Sequence, residues 1–123
     1  MRIFLVDDAA IVREQLTGLI AEIGGMEIVG ESSDSADAEE KIRQLKPDVV
    51  ILDLRLPDGS GVDILKKIKK FEPPPKVIIF SNNTYPQYEQ RCMGLGADFF
   101  FNKAEDFRKI PKVLRDWSEK AAL

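Results

Sequence analysis

Five short apolar runs alternate with five amphipathic stretches along this chain, which predicts an α/β domain: a five-stranded parallel sheet with helices on both faces and right-handed crossovers. Three observations carry the prediction. Val49-Val50-Ile51-Leu52 has no polar interruption, the pattern of a strand buried on both faces. The stretches between runs space their apolar residues near 3.6. Glycine and proline punctuate the changes of pattern. With 123 residues, the expectation is one doubly wound domain over 1–123, with no linker and no output domain.

The first strand is Ile3-Phe4-Leu5-Val6, which runs into Asp7-Asp8. Ile11, Val12, Leu16, Leu19, Ile20 and Ile23 mark the first helix, with Asp8 placed to cap its free amides. Gly24-Gly25 stops that helix. Met26 to Gly30 reads as a second strand, less apolar and so nearer an edge. The second helix runs from Ser35 to Leu45 on a thin stripe of Ala36, Ala38, Ile42 and Leu45, and Pro47 closes it. The third strand ends at Asp53, followed by a turn, Leu56-Pro57-Asp58-Gly59. Ser60-Gly61 opens a third helix whose lysines suit its C-terminal end. Pro73-Pro74-Pro75 resets the chain into the fourth strand, Lys76 to Ser81. A short fourth helix has Pro86 in its first turn and ends near Gly94-Leu95-Gly96. The fifth strand, Asp98 to Asn102, leads to Lys103. The last helix begins near Lys109, because Pro111 must lie in its first turn.

Composition removes several classes of function. There is no histidine, so zinc sites with histidine ligands, imidazole acid–base catalysis and Ser-His triads are excluded. A net charge of −3 gives no basic field for nucleic acid. No apolar run is long enough to span a membrane, and the N-terminus lacks a signal-peptide layout. One cysteine, Cys92, forms no internal disulfide, which fits a reducing cytoplasm.

Four strands end in groups able to do chemistry: Asp7-Asp8, Asp53, Ser81 and Lys103. In a parallel sheet these ends share one edge, where open α/β sheets bind ligands. Each group also has a plainer reading: Asp8 as a helix cap, Asp53 and Ser81 as strand ends, Lys103 as a surface lysine. Their joint placement favours one crevice. Carboxylates close together repel, and a hard divalent cation, Mg2+, relieves the repulsion while leaving positions for phosphate oxygens. The lysine and the hydroxyl supply further contacts to a phosphoryl group. The set is suited to phosphoryl transfer onto or off a carboxylate.

Val6-Asp7-Asp8, Leu52-Asp53-Leu54-Arg55-Leu56-Pro57 with Gly61 four residues on, Phe80-Ser81, Gly96-Ala97-Asp98 and Lys103 resemble the receiver domain of two-component response regulators, of the chemotaxis-regulator type and apparently stand-alone. The resemblance covers essentially the whole chain. It implies a flavodoxin-like sheet of order 2-1-3-4-5. It also implies Asp53 as acceptor of a phosphoryl group from a sensor histidine kinase or a phosphotransfer protein. Asp7, Asp8, Asp53 and the backbone carbonyl of Arg55 would hold magnesium. Ser81 would bind the phosphoryl oxygen, Lys103 would pair with it, and Phe100 stands where the family has its switch aromatic. Two positions depart from the family pattern. Ala104 follows the lysine in place of proline, so the Lys103–Ala104 peptide is expected to be trans. Asn82 replaces a small residue and narrows the entrance.

By strand alternation Arg55 and Asn83 flank the mouth and control access and phosphoryl lifetime. Tyr85, Tyr88, Phe100 and Phe107 load the fourth helix, fifth strand and start of the fifth helix with aromatics. That face is the expected surface for a downstream protein or self-association; simple packing under short helices is the alternative. The domain is expected to signal rather than to act as a conventional enzyme, its only catalysis being its own aspartyl phosphorylation and dephosphorylation. Two other functions compete: a receiver-like module that is never phosphorylated, and a magnesium-dependent phosphatase of the haloacid dehalogenase kind. The phosphatase needs a second acid two residues beyond its nucleophile, where this chain has Arg55.

Overall fold

In the computed structural model, which describes residues 1–121, five strands form one parallel sheet. They are β1 (Arg2–Val6), β2 (Glu27–Ser32), β3 (Val49–Leu52), β4 (Lys76–Ser81) and β5 (Phe99–Asn102). Their spatial order is β2-β1-β3-β4-β5. The helices are α1 (Ala10–Ala21), α2 (Ser35–Leu45), α3 (Gly61–Ile68), α4 (Pro86–Gly94) and α5 (Ile110–Ala121). A single 3-10 turn, Phe107–Lys109, leads into α5. The chain winds from β1 to one edge and then returns past it to the other. The reversal opens a crevice beyond the C-terminal ends of β1 and β3.

Strand alternation divides the core into two layers. Phe4, Val6, Val50, Leu52, Val77 and Ile79 face α2, α3 and α4, where they meet Ala38, Ile42, Ile64, Leu65, Ile68 and Cys92. Ile3, Leu5, Val49, Ile51, Ile78 and Phe80 face α1 and α5 and meet Leu16, Ile20, Ile110 and Leu114. Residues of β1 and β3 are sealed on both faces, which is why their sequence shows no alternation. Burial of each large aliphatic side chain contributes about 1.5–3 kcal/mol relative to exposure, so these central strands are the rigid part of the molecule.

Most boundaries follow the sequence. Gly24 and Gly25 take φ of 75° and 74°, backbone that ends α1 at little cost. Pro86 occupies the first turn of α4 after Tyr85, and Pro111 that of α5. Three expectations fail. Asp8 does not cap α1: the capping position belongs to Ala9, which has no side-chain hydrogen bond. Ala36 is exposed, so the buried stripe of α2 reduces to Ala38 and Ile42 with Leu45 at its margin. The segment after Asp53 is more than a turn, since Arg55–Leu56 pairs antiparallel with Gly59–Ser60 in a small ribbon. In addition, β2 extends through Glu31 and Ser32, whose partners Leu5 and Val6 lie on the more apolar β1.

Candidate functional site

The sheet's hydrogen bonding continues one residue past the strands and fixes the site's backbone. Asp53 N–H donates to the Val6 carbonyl at 2.9 Å, Asp7 N–H to Ser32 at 3.1 Å, and Lys103 N–H to Ser81 at 3.0 Å. Gly61 presses on the end of β3 from α3. Its amide donates to the Leu54 carbonyl at 2.9 Å, and a Cβ there would collide with the carbonyl oxygen of Asp53. Only a residue without a side chain fits.

On this frame the side chains converge. Lys103 Nζ lies 2.6 Å from Asp7 Oδ2 and 3.0 Å from Asp53 Oδ2. Asp7 Oδ1 accepts the amide of Ala9 at 2.9 Å, so both its oxygens are engaged. Asp8 is exposed beside them, and one carboxylate oxygen from each of Asp7, Asp8 and Asp53 lies within 4.8 Å of the others. Arg13 of α1 supports the group from behind: its guanidinium donates to the Asp7 carbonyl and pairs with Glu31 Oε1 at 3.1 Å.

Electrostatics explain the pairing. Burial pushes the Asp53 carboxyl above its ordinary value, and the charge of Asp7 adds to this; Lys103 and the Arg55 backbone amide oppose it. For Lys103, burial favours the neutral amine, but the hydrogen bonds and charges of Asp7 and Asp53 outweigh it and raise the pKa. Three carboxylates face one ammonium, and the excess negative charge together with an all-oxygen donor set fits a hard divalent cation.

The front of the site is a cleft of about 520 Å³ with Asp8, Asp53, Ser81 and Lys103 in its lining. Arg55, Asn82, Asn83 and Tyr85 also line it. The structure thus brings together the acids, serine and lysine singled out in the sequence, and places Arg55, Asn82 and Asn83 on the same cleft. Ser81 is buried, and its Oγ accepts the amide of Asn83 at 3.0 Å. Asn83 Oδ1 is buried without a hydrogen-bond partner.

Lys103–Ala104 is trans, as expected; among the described residues the one cis peptide is Glu72–Pro73. Side chains shape the loop where the family pattern has proline. Asn102 Oδ1 accepts the amides of Ala104 and Glu105 at 2.7 and 3.2 Å, and Asp106 Oδ2 accepts that of Asn102 at 2.8 Å. Asn102, Asp106 and Arg13 shape the site without standing among the residues singled out from the sequence. The first two carried a signal, because Asn and Asp four residues apart after a strand favour Asx turns.

The aromatic residues are less unified than the sequence suggested. Phe100 is half-buried against the layer of α2 to α4, opposite Phe99 and Phe101. Phe107 packs on Phe80, ring centroids 6.2 Å apart, within the α1–α5 layer. Tyr85, just before α4, and Tyr88 within it are exposed, and Phe99 packs tilted against Trp117, ring centroids 5.7 Å apart. Packing therefore accounts for Phe107, and the outward aromatics are Tyr85, Tyr88 and Phe99.

A doubly wound parallel sheet carrying a lysine-bridged acidic pocket at its topological switch point defines a flavodoxin-like class whose ligands bind at that crevice. The response regulator receiver domain family model matches residues 3–115, and the chain belongs to that family. It is 40% identical over 118 residues to the chemotaxis protein CheY of Thermotoga maritima, covering 96% of this chain and 98% of that one. It is 31% identical over 115 residues to a protein-glutamate methylesterase/protein-glutamine glutaminase of Methanospirillum hungatei, but spans only 34% of that protein's length. Among solved structures, the response regulator domain of Thermotoga maritima CheB superposes with a TM-score of 0.83 at 30% identity, covering 98% of this chain and 95% of that one. The signal receiver domain of NarL from Mycobacterium tuberculosis gives a TM-score of 0.86 at 29% identity, covering 96% and 95%. No described helix is long and apolar enough to cross a membrane.

Proposed function

We propose that this receiver domain is switched by phosphorylation of Asp53, with Mg2+ held by Asp7, Asp8, Asp53 and the backbone carbonyl of Arg55. The observation that carries the reading is Lys103 bridging two buried carboxylates, with a third acid in reach. An acceptor of this kind needs an anionic oxygen held against its own repulsion, and Lys103 holds it. Asp53 Oδ attacks phosphorus, the P–N bond of a phosphohistidine breaks, and the imidazole leaves and takes up a proton. Bound magnesium supplies charge neutralisation at the transferring phosphoryl oxygens. Ser81 donates its hydroxyl to one of those oxygens, and Lys103 pairs with another while keeping its bond to Asp7. Water attack on the same phosphorus later restores the carboxylate, so the domain catalyses its own gain and loss of the group.

The donor is a sensor histidine kinase or a phosphotransfer protein, and the signal leaves by protein contact through α4, β5 and α5. Movement of Ser81 toward the phosphoryl group gives the half-buried Phe100 room to turn inward. Exposed Arg55 stands where the phosphatase reading needs an acid, which favours a stored signal over turnover. Intact-mass analysis after treatment with acetyl phosphate and MgCl2 tests the assignment. The expected result is one phosphoryl group on the wild type and none on Asp53→Asn. A singly phosphorylated Asp53→Asn protein refutes it.

A further inference from the structure

The ribbon after Asp53 has only two residue pairs, Arg55 with Ser60 and Leu56 with Gly59. A hairpin of that size has no stability of its own. Leu54 and Leu56 anchor its root in the core, being 5% and 8% exposed, while Pro57, Asp58 and Gly59 at its tip are exposed. Two closely spaced anchors leave a segment free to rock about the line joining them, and a third contact is needed to stop it. Asp58 makes that contact. Its Oδ1 accepts the amide of Ser35 at 2.7 Å and its Oδ2 that of Ala36 at 3.2 Å. The first turn of α2 is thereby capped by an element more than twenty residues away in the chain. The helix does not depend on Asp58 to begin, because Asp34 already caps it, accepting the amide of Asp37 at 2.8 Å. The useful effect of the second cap is therefore on the ribbon.

We infer that Asp58 is a positioning residue for the metal site: through its two bonds to α2 it fixes the ribbon that presents the Arg55 carbonyl to a divalent cation. The inference rests on the magnesium reading given under Proposed function. The carboxylate is well suited to the task. Both oxygens meet amides at the positive end of a helix, charge-assisted bonds that an anion makes better than a neutral group. In keeping with this, the bond from the Ser35 amide holds the Asp58 carboxyl below its ordinary value. Asp58 touches neither the acceptor nor the cation. It acts on the cation through Arg55, as residues behind a metal ligand do.

Calorimetric titration of the full chain with MgCl2 alone, in the unphosphorylated state, tests this. Asp58→Ala weakens Mg2+ binding by roughly 10-fold, the lower end of what loss of a supporting residue costs. Asp58→Asn, which keeps one neutral acceptor oxygen for two amides, recovers only part of that loss. Asp34→Ala, which removes the other cap of the same helix, binds Mg2+ like the wild type. The rate of phosphorylation by acetyl phosphate should fall for Asp58→Ala at subsaturating Mg2+ and return to the wild-type value at saturation. Wild-type affinity in Asp58→Ala overturns the inference. So does an equal loss in Asp34→Ala, which would mark the effect as general helix destabilisation. A wild type that binds no Mg2+ overturns the metal reading itself, and that result shows before any variant is made.

Discussion

Gly61→Ala isolates the close approach of α3 to the backbone of Asp53. The added methyl meets the carbonyl oxygen of Asp53, and the next atoms in its path are the Asp53 carbonyl carbon and Leu54 Cα, each at 2.9 Å. All three belong to backbone, so no side chain can swing aside. Ordinary contact begins near 3.4 Å, and the Asp53 carbonyl oxygen is the nearest of the three atoms, so the start of α3 and the end of β3 must separate by about 1 Å or more. Overpacking of this kind costs about 1–3 kcal/mol, and the rigid site places this variant at the upper end. Against a total stability of about 5–15 kcal/mol the variant still folds. Urea denaturation followed by Trp117 fluorescence should show the loss as a lower midpoint with an unchanged slope. The chemistry should suffer more than the stability. Displacement of a reacting carboxylate by a fraction of an ångström to 1 Å lowers the rate by about 10- to 100-fold. The comparison is Ile64→Val on the same helix, a cavity substitution costing about 0.5–1.5 kcal/mol with no contact to the acceptor. Initial rates of acetyl phosphate labelling, taken where both variants are fully folded, decide the matter. If Gly61→Ala labels as fast as Ile64→Val, the close approach does not position Asp53.

Asp53→Asn should be more stable than the wild type by about 1 kcal/mol at pH 7 without metal, because it removes a buried charge and leaves Lys103 paired with Asp7. Since folding raises the Asp53 pKa, its ionisation opposes folding above the unfolded value. The advantage of Asp53→Asn should therefore shrink as pH falls through the folded value, as chemical denaturation at several pH values would show. Lys103→Met leaves Asp7 and Asp53 buried without their counter-charge and should cost about 3–5 kcal/mol at neutral pH, partly regained on acidification or on adding MgCl2. The raised Lys103 pKa means that the wild type keeps this contribution below the unfolded lysine value and loses it as pH rises through the folded one; a Lys103→Met protein with unchanged thermal stability contradicts the pairing. Arg55→Ala should shorten the phosphoryl half-life by opening the mouth of the cleft to the attacking water, and a half-life equal to or longer than that of the wild type refutes the gate.

The elements most legible in the sequence were those whose physics is local. Val49 to Leu52 could be read as a central strand because burial on both faces leaves no other composition for it. Asp53, Ser81 and Lys103 could be grouped because parallel strands must end on the same side. The misreadings arose where contacts from elsewhere in the chain decide. Asp8 looks like a cap by position, but Asp7 takes the Ala9 amide and Asp8, though exposed, turns its carboxylate to the cleft. Ala36 fits the spacing of a buried stripe, but it sits in the first turn of α2, where Asp58 approaches and no apolar layer reaches. The ribbon and its bond to α2 had no sequence signal, because Pro57-Asp58-Gly59 reads equally well as a free turn. Phe107 appeared to belong to an outward face until Phe80 was seen opposite it.

The amides of Asp53 and Lys103, bonded to the Val6 and Ser81 carbonyls, are continuations of the β ladder. Asp53 cannot leave its place without opening the β1–β3 pair at the centre of the sheet, which requires nearly the free energy of global unfolding, whereas Lys103 is held by the β4–β5 pair at the sheet's edge. Asp53, with Lys103 paired to it, thus forms the less mobile side of the cleft. What a phosphoryl group can move at tolerable cost lies across the cleft, in the run from Asn82 to Tyr85, whose residues are mostly exposed. Hydrogen exchange should divide the site along that line, slowest at Asp53 and fast from Asn82 to Tyr85. Information written on the immobile half can then leave the domain only through the half that yields, and that half opens directly into α4.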